Sequence, residues 1–217
     1  TRRDVIDHFG IDPARVTTTP LASALPLAEE RPLDRPRHDA DSVLFVGKRD
    51  GYKNFAGLLA AMNNPDTPAH LRLVAYGGGA FNSNELQMIS GMGMTDRVLH
   101  VQPDDRVLDQ LYQHALVYVC PSRYEGFGLP VLEAMERGCP VIIANAGSLP
   151  EIAGDAALRF SPDDIDGLSG HLVDLAEQPA LRRQFAAAGV GQNSLFSWAT
   201  TAKTTKAGYV AALDAAS

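Results

Sequence analysis

Short apolar runs and longer amphipathic stretches alternate along most of this 217-residue chain. Ser42–Gly47, Leu71–Tyr76, Val98–Val101, Leu116–Cys120 and Pro140–Ala144 are dominated by aliphatic residues and bounded by turn formers. Runs of that length and composition predict strands buried on both faces. Between them lie helical patterns: Asn54–Met62, with Phe55, Leu58, Leu59 and Met62 on one face; Asn82–Met92; Asp104–Ala115, carrying Val107, Leu108, Leu111 and Tyr112; and Leu129–Arg137. Asn82 or Ser83 signals one helix start, with Glu85 in its first turn. Strands alternating with helices predict an α/β fold, a Rossmann-like, doubly wound parallel sheet covered on both faces.

The ends of the chain read differently. Residues 1–9 predict a short helix stopped by Gly10, Arg15–Thr19 is a candidate strand, and Pro20–Asp39 is rich in Pro, Arg and acids, as an extended connection would be. Asp163–Glu177 and Pro179–Ala188 predict two helices with a break at Gln178-Pro179. A last helix opens at Ser197-Trp198 and runs to Ala212; it is polar at six positions from Thr200 to Lys206, with Trp198, Tyr209 and Leu213 its larger apolar groups. A helix so weakly apolar is expected to need a partner. The expected division is 1–40 connection, 41–195 ligand-binding domain and 196–217 terminal helix.

Composition narrows the function. A net charge of −7 argues against a nucleic-acid partner, which favours a basic face. No apolar run approaches the length of a membrane span. The start, Thr1-Arg2-Arg3-Asp4, has no signal-peptide pattern and no initiator Met, so an internal or processed start is expected. Cys120 and Cys139 lie in apolar surroundings without metal or redox spacing, which predicts buried reduced thiols and a cytoplasmic setting. The six histidines are scattered, so no metal is expected. No Gly-x-Ser-x-Gly or other nucleophile motif occurs, and Gly77-Gly78-Gly79-Ala80 lacks dinucleotide spacing, which disfavours a hydride-transfer dehydrogenase.

The chemistry concentrates between Cys120 and Pro140. Glu125 precedes a turn spaced by Gly126 and Gly128, with Phe127 between them and Leu129 after them, and Glu133 follows one turn into the helix. A helix N-terminus with approachable backbone N–H groups favours an anion, and a carboxylate accepts hydrogen bonds from hydroxyls. Phosphates between two hydroxylated groups, as in a nucleotide sugar, fit that arrangement. An ordinary strand–helix turn, with Glu133 paired to Arg137 at i, i+4, is the plainer reading. A carboxylate beside a diphosphate needs cations, and the loop Gly47-Lys48-Arg49-Asp50-Gly51-Tyr52-Lys53-Asn54 supplies Arg49, a planar fork, and Lys53, a point charge.

The run "PSRYEGFGLPVLEAMERGCPVI" resembles the signature of retaining glycosyltransferases of family 4, which have the GT-B architecture, and their paired glutamates match Glu125 and Glu133. "LFVGKRDGYKNF", "DRVLHVQPDDRVLDQLYQHALVYVCPS", "SLPEIAGDAALRFSPDD" and "FSWATTAKTTKAGYVAAL" also resemble the family and stand in its order, so the likeness runs from about Asp41 to the C-terminus. The resemblance implies the donor-binding C-terminal domain of an enzyme that transfers a sugar from a nucleoside-diphosphate sugar. Glu133 would hold the ribose and Glu125, the catalytic candidate, the donor sugar. Arg49, Lys53 and the Gly126, Phe127, Gly128 and Leu129 backbone would hold the diphosphate, and Val101 and Gln102 would lie at the base. Gln102 stands where the family often has Gly.

The resemblance implies no metal or other cofactor. It also implies that a saccharide or lipid-linked acceptor is held by an N-terminal domain not in this sequence, that the terminal helix packs on that domain, and that this chain alone binds donor without transferring sugar. The expected setting is cytoplasmic, with peripheral membrane association of a full-length protein left open. "GYKNF" with "YEGFGLP" favours GDP-mannose among donors, with UDP-sugars still open. The alternatives are a non-catalytic nucleotide-binding or interaction module of GT-B ancestry and a nucleotide-sugar epimerase, for which paired glutamates are not expected.

Overall fold

The structure is a computed structural model, described here for residues 2–24, 41–49 and 51–214. In chain order the elements are helix α1 (Arg2–Phe9), strand β1 (Ser42–Val46), α2 (Phe55–Met62), β2 (Arg72–Tyr76), α3 (Ser83–Gly91), β3 (Val98–Val101), α4 (Asp105–His114), β4 (Val117–Cys120), α5 (Leu129–Glu136), β5 (Val141–Ala144), α6 (Leu149–Ala153), β6 (Leu158–Phe160), α7 (Ile165–Glu177), α8 (Pro179–Asn193) and α9 (Trp198–Asp214). The strands form a six-stranded sheet in the order β3-β2-β1-β4-β5-β6, and every neighbouring pair is parallel.

The faces follow from side-chain alternation. Phe45 meets Phe55 of α2 edge-on, whereas its neighbour Leu44 is in register with Tyr118, whose ring meets Tyr112 of α4. Successive residues of β1 therefore face different helices, and the strand centres are buried on both sides. On one face α2 packs against α7, and on the other α5 packs against α8 and α4. The sheet is the predicted Rossmann-like α/β arrangement.

Differences from the sequence reading are local. Arg15–Thr19 is not a strand: Asp12 accepts a hydrogen bond from the Ala14 amide and winds Pro13–Arg15 into a 3-10 turn, after which the chain runs on without pairing. The short α6 and β6 went unpredicted, since three residues at a sheet edge carry little periodicity. The helix break falls at Gln178, which ends α7 and begins α8. Asn82 forms a capping box with Glu85 at the start of α3. Most of the Pro20–Asp39 connection, the start of the chain and residues 215–217 lie outside the described residues.

Candidate active site

Ligands of doubly wound sheets sit at the carboxyl ends of the strands where the strand order reverses. Here that point lies between β1 and β4, and the two loops leaving those ends carry Lys53 and Glu125. Lys53 Nζ donates to Glu125 Oε1 at 2.6 Å, with the two side chains 19% and 16% exposed. Burial alone would lower the Lys53 ammonium, but the hydrogen bond and charge of Glu125 outweigh it and hold the group above an ordinary lysine. The loops are also joined by their backbones, since the Arg123 amide donates to the Tyr52 carbonyl at 2.7 Å.

Glu125 is fixed from below. Ser148 Oγ donates to the carbonyls of Glu125 (2.9 Å) and Phe127 (3.0 Å). Gly147, at φ +57°, lies so close that a Cβ there would stand 2.9 Å from the Glu125 nitrogen and 3.0 Å from its carbonyl oxygen. Gly128 takes φ +100° as the residue before α5, and Pro130 sits in the first turn, where its missing N–H costs nothing. The turn thus delivers the chain from Glu125 into a helix whose N-terminus opens at the switch point.

Glu133 lies one turn further on α5 and is partly buried. Its Oε2 accepts from the Tyr112 hydroxyl at 3.1 Å. Burial raises its carboxyl above the ordinary range, only partly offset by Tyr112 and by the charge of Arg137. The Arg137 side chain bonds Asp109, Glu136 and the Glu133 backbone carbonyl. The Tyr76 hydroxyl accepts from the Asp104 amide at 2.8 Å; burial raises its pKa, and the charges of Asp105, Asp104 and Glu133 act in the same direction. Val101 gives its carbonyl to the Gly77 amide, and Gln102 is exposed beside it.

Arg49 makes its bonds outside this group. Its guanidinium, only 3% exposed, donates to Glu85 Oε1 (2.7 Å) and to the carbonyls of Gly77 (2.7 Å), Gly79 (2.8 Å) and Ala80 (3.1 Å), and stacks over Phe81. The structure therefore brings Lys53, Glu125 and the Gly126–Leu129 turn together and sets Glu133 on the same helix, while Arg49 organises the loop after β2. Gly147, Ser148, Asn54 and Tyr112 were missed as site residues by sequence reasoning; Ser148 stands directly before α6, makes no capping bond, and sends its hydroxyl to the site loop. A cavity of about 720 Å³ runs along the β2–β3 face beside α4, from Asp41 and Arg72 to Val101. Of the candidate residues it touches only Val101, and the convergent charges lie at the strand ends instead.

Residues 29–191 match the family described as "Glycosyl transferases group 1". The O-antigen chain mannosyltransferase B of Escherichia coli is 33% identical over 214 residues, covering 91% of this chain and 55% of that protein. The MMP alpha-(1->4)-mannosyltransferase of Mycolicibacterium hassiacum is 29% identical, over 97% of this chain and 52% of its own. Among solved structures, a glycosyltransferase from Rickettsia africae superposes with a TM-score of 0.80 at 15% identity, over 94% of this chain and 59% of that one. The C-terminal domain of the group 1 protein LpcC from Francisella tularensis superposes with a TM-score of 0.66 at 22% identity, over 79% of this chain and 94% of that domain. The chain spans about half the length of the curated relatives it matches. With a family match over most of its length and a relative 33% identical over 91% of it, this chain belongs to the group 1 glycosyl transferases.

Proposed function

We propose that this chain is the donor-binding part of a retaining GT-B glycosyltransferase of family 4, and that its donor is a nucleoside-diphosphate sugar, GDP-mannose first among candidates. One observation carries the reading: a half-buried cation and carboxylate, Lys53 and Glu125, meet 2.6 Å apart at the switch point, beside the Gly128 turn that opens α5. The names of the two mannosyltransferase relatives favour mannose as the sugar.

On this reading the diphosphate takes the Lys53 ammonium from Glu125 and lies against the N-terminus of α5, whose dipole and amides favour negative charge. Glu125, released, accepts hydrogen bonds from the donor sugar. Glu133 accepts from the ribose hydroxyls, with Tyr112 keeping its second oxygen oriented. As the glycosidic bond lengthens, charge grows on the leaving diphosphate, and Lys53 with the α5 N-terminus stabilises it where it develops. The reading asks for no metal or cofactor. The saccharide or lipid-linked acceptor would be held by the part of the relatives that this chain does not span, and transfer would need that part. Among the described residues no helix is long and apolar enough to cross a membrane.

Calorimetric titration with GDP, UDP and ADP, free and as sugar conjugates, tests the reading, with Glu133→Ala beside the wild type. Binding of one nucleotide that disappears in the variant supports the site and names the base. Absence of binding to all of them favours a non-catalytic module.

A further inference from the structure

Asn54 follows Lys53 directly and is the one residue other than glycine with a left-handed backbone among the described residues, at φ +54°. Side chains rarely adopt that conformation; asparagine tolerates it best. The side chain is buried, and it stands before α2 where asparagine commonly caps, yet it makes no capping bond. Its Nδ2 instead donates to the Pro162 carbonyl at 3.0 Å, 108 positions along the chain. Helix α2 is shaped around it: a Cβ on Gly57 would fall 2.6 Å from Asn54 Oδ1 and 2.8 Å from Nδ2.

The tie closes a ring. Pro162 and Asp163 belong to the loop between β6 and α7, and Arg123 Nη2 pairs with Asp163 Oδ1 at 2.5 Å. Arg123 in turn gives its amide to the Tyr52 carbonyl. Three loops, those after β1, β4 and β6, are therefore linked head to tail around the Lys53–Glu125 pair. Lys53 lies between the backbone bond at Tyr52 and the left-handed turn at Asn54, so its backbone is held from both sides.

Resting on the donor-binding reading above, we propose that Asn54 is a positioning residue: its left-handed backbone and its bond to Pro162 aim the Lys53 ammonium at the donor phosphates, which makes the loop after β6 part of the donor site.

The test uses the full chain with Asn54→Gly, which keeps the left-handed turn and loses the tie, and Asn54→Asp, which turns a carboxylate toward the Pro162 carbonyl. Folding is checked by circular dichroism; where the aspartate variant does not fold, the glycine variant carries the comparison. The first readout is the acylation rate of Lys53 by an amine-reactive reagent, measured by peptide mass spectrometry against Lys203 on α9 as reference. The ring holds Lys53 on Glu125, so its rate rises several-fold in folded variants while Lys203 is unchanged. An unchanged Lys53 rate overturns the proposal. The second readout is titration with GDP and UDP. A misaimed cation weakens binding about tenfold, and the loss vanishes in a Lys53→Met background. A loss of equal size in that background overturns the proposal, because Asn54 would then act through the fold and not through Lys53. Wild-type protein that binds neither nucleotide sinks the donor reading and the proposal with it; wild-type binding with an unmoved Lys53 rate sinks the positioning role alone.

Discussion

Replacing Glu125 with glutamine is expected to tighten the binding of a nucleoside diphosphate that carries no sugar. In the resting structure Lys53 and Glu125 meet at 2.6 Å with both side chains less than one-fifth exposed, and a diphosphate must break that pair to use the lysine. The gross attraction of two charges so close is ~6 kcal/mol at an effective dielectric constant of about 20. Desolvation takes back most of it, leaving the ~1.5–3 kcal/mol typical of a hydrogen bond to a charged group. A glutamine carbonyl still accepts from the ammonium, so Glu125→Gln removes ~1 kcal/mol of the cost of freeing Lys53. It also removes a negative charge beside the incoming phosphates, which acts in the same direction. Free GDP or UDP, whichever binds the wild type, is therefore expected to bind about fivefold tighter. The sugar conjugate loses its partner at Glu125 and does not share the gain. Lys53→Met moves both ligands the other way. Isothermal titration of the three proteins with free and conjugated nucleotide measures this directly. Weaker binding of the free diphosphate to Glu125→Gln, as weak as to Lys53→Met, would refute the reasoning, because the pair would then be a part of the binding surface and not a contact the ligand displaces.

Three further outcomes follow from the same geometry. Burial raises the folded-state pKa of Glu133, so its ionised form costs stability above that value and the cost fades as pH falls through the unfolded glutamate range; thermal melts should find Glu133→Gln more stable than wild type at pH 7 and the two converging in acid, while nucleotide affinity drops about tenfold with the loss of charge-assisted bonds. Arg137 and Asp109 form a pair at 2.9 Å whose side chains are 1% and 2% exposed; Arg137→Met alone should cost about 3–5 kcal/mol in urea denaturation by stranding a buried carboxylate, and Asp109→Leu with Arg137→Met far less than the sum of the single changes, so strict additivity would show the two to be uncoupled. Gly147→Ala should lower stability by about 1–2 kcal/mol for its left-handed backbone and, because the new methyl meets the Glu125 backbone, weaken the sugar conjugate more than the free nucleotide in the same titrations.

Much of this was legible in the chain. Strand and helix periods are local, and the alternation from Ser42 to Ala144 specifies a parallel sheet because only buried strands and one-sided helices satisfy it. The paired glutamates and the glycine turn were legible for the same reason: they fall within one strand–turn–helix. What escaped depends on contacts between distant segments. Ser148 carries the spacing of a helix cap, yet its hydroxyl bonds two carbonyls more than twenty positions back. Asn54 also looks like a cap and instead reaches Pro162. Local hydrogen-bonding groups have several partners within reach, and the tertiary fold selects among them.

Arg49 and Lys53 make the same point for charge. They share one loop, and by residue type either suits a phosphate. Arg49 is committed: Glu85 and the carbonyls of Gly77, Gly79 and Ala80 take its donors, and its guanidinium packs over the Phe81 ring. The pairing holds Glu85 below the ordinary carboxylate range, although burial alone would raise it. The glycines permit this, since a Cβ on Gly78 would fall 2.8 Å from Arg49 Nη1 and 2.9 Å from the Gly47 carbonyl. To reach a phosphate, Arg49 must leave the Glu85 carboxylate and the Gly77 carbonyl, both largely sheltered from solvent, and strand them unsatisfied, while the exposed carbonyls of Gly79 and Ala80 would return to water. Lys53 must leave one carboxylate, which on the donor-binding reading the donor sugar would then engage. The cation that can change partners at least cost is Lys53; on the donor-binding reading, the first contact with the diphosphate would fall to the lysine, with Arg49 keeping the glycine loop and the start of α3 in place.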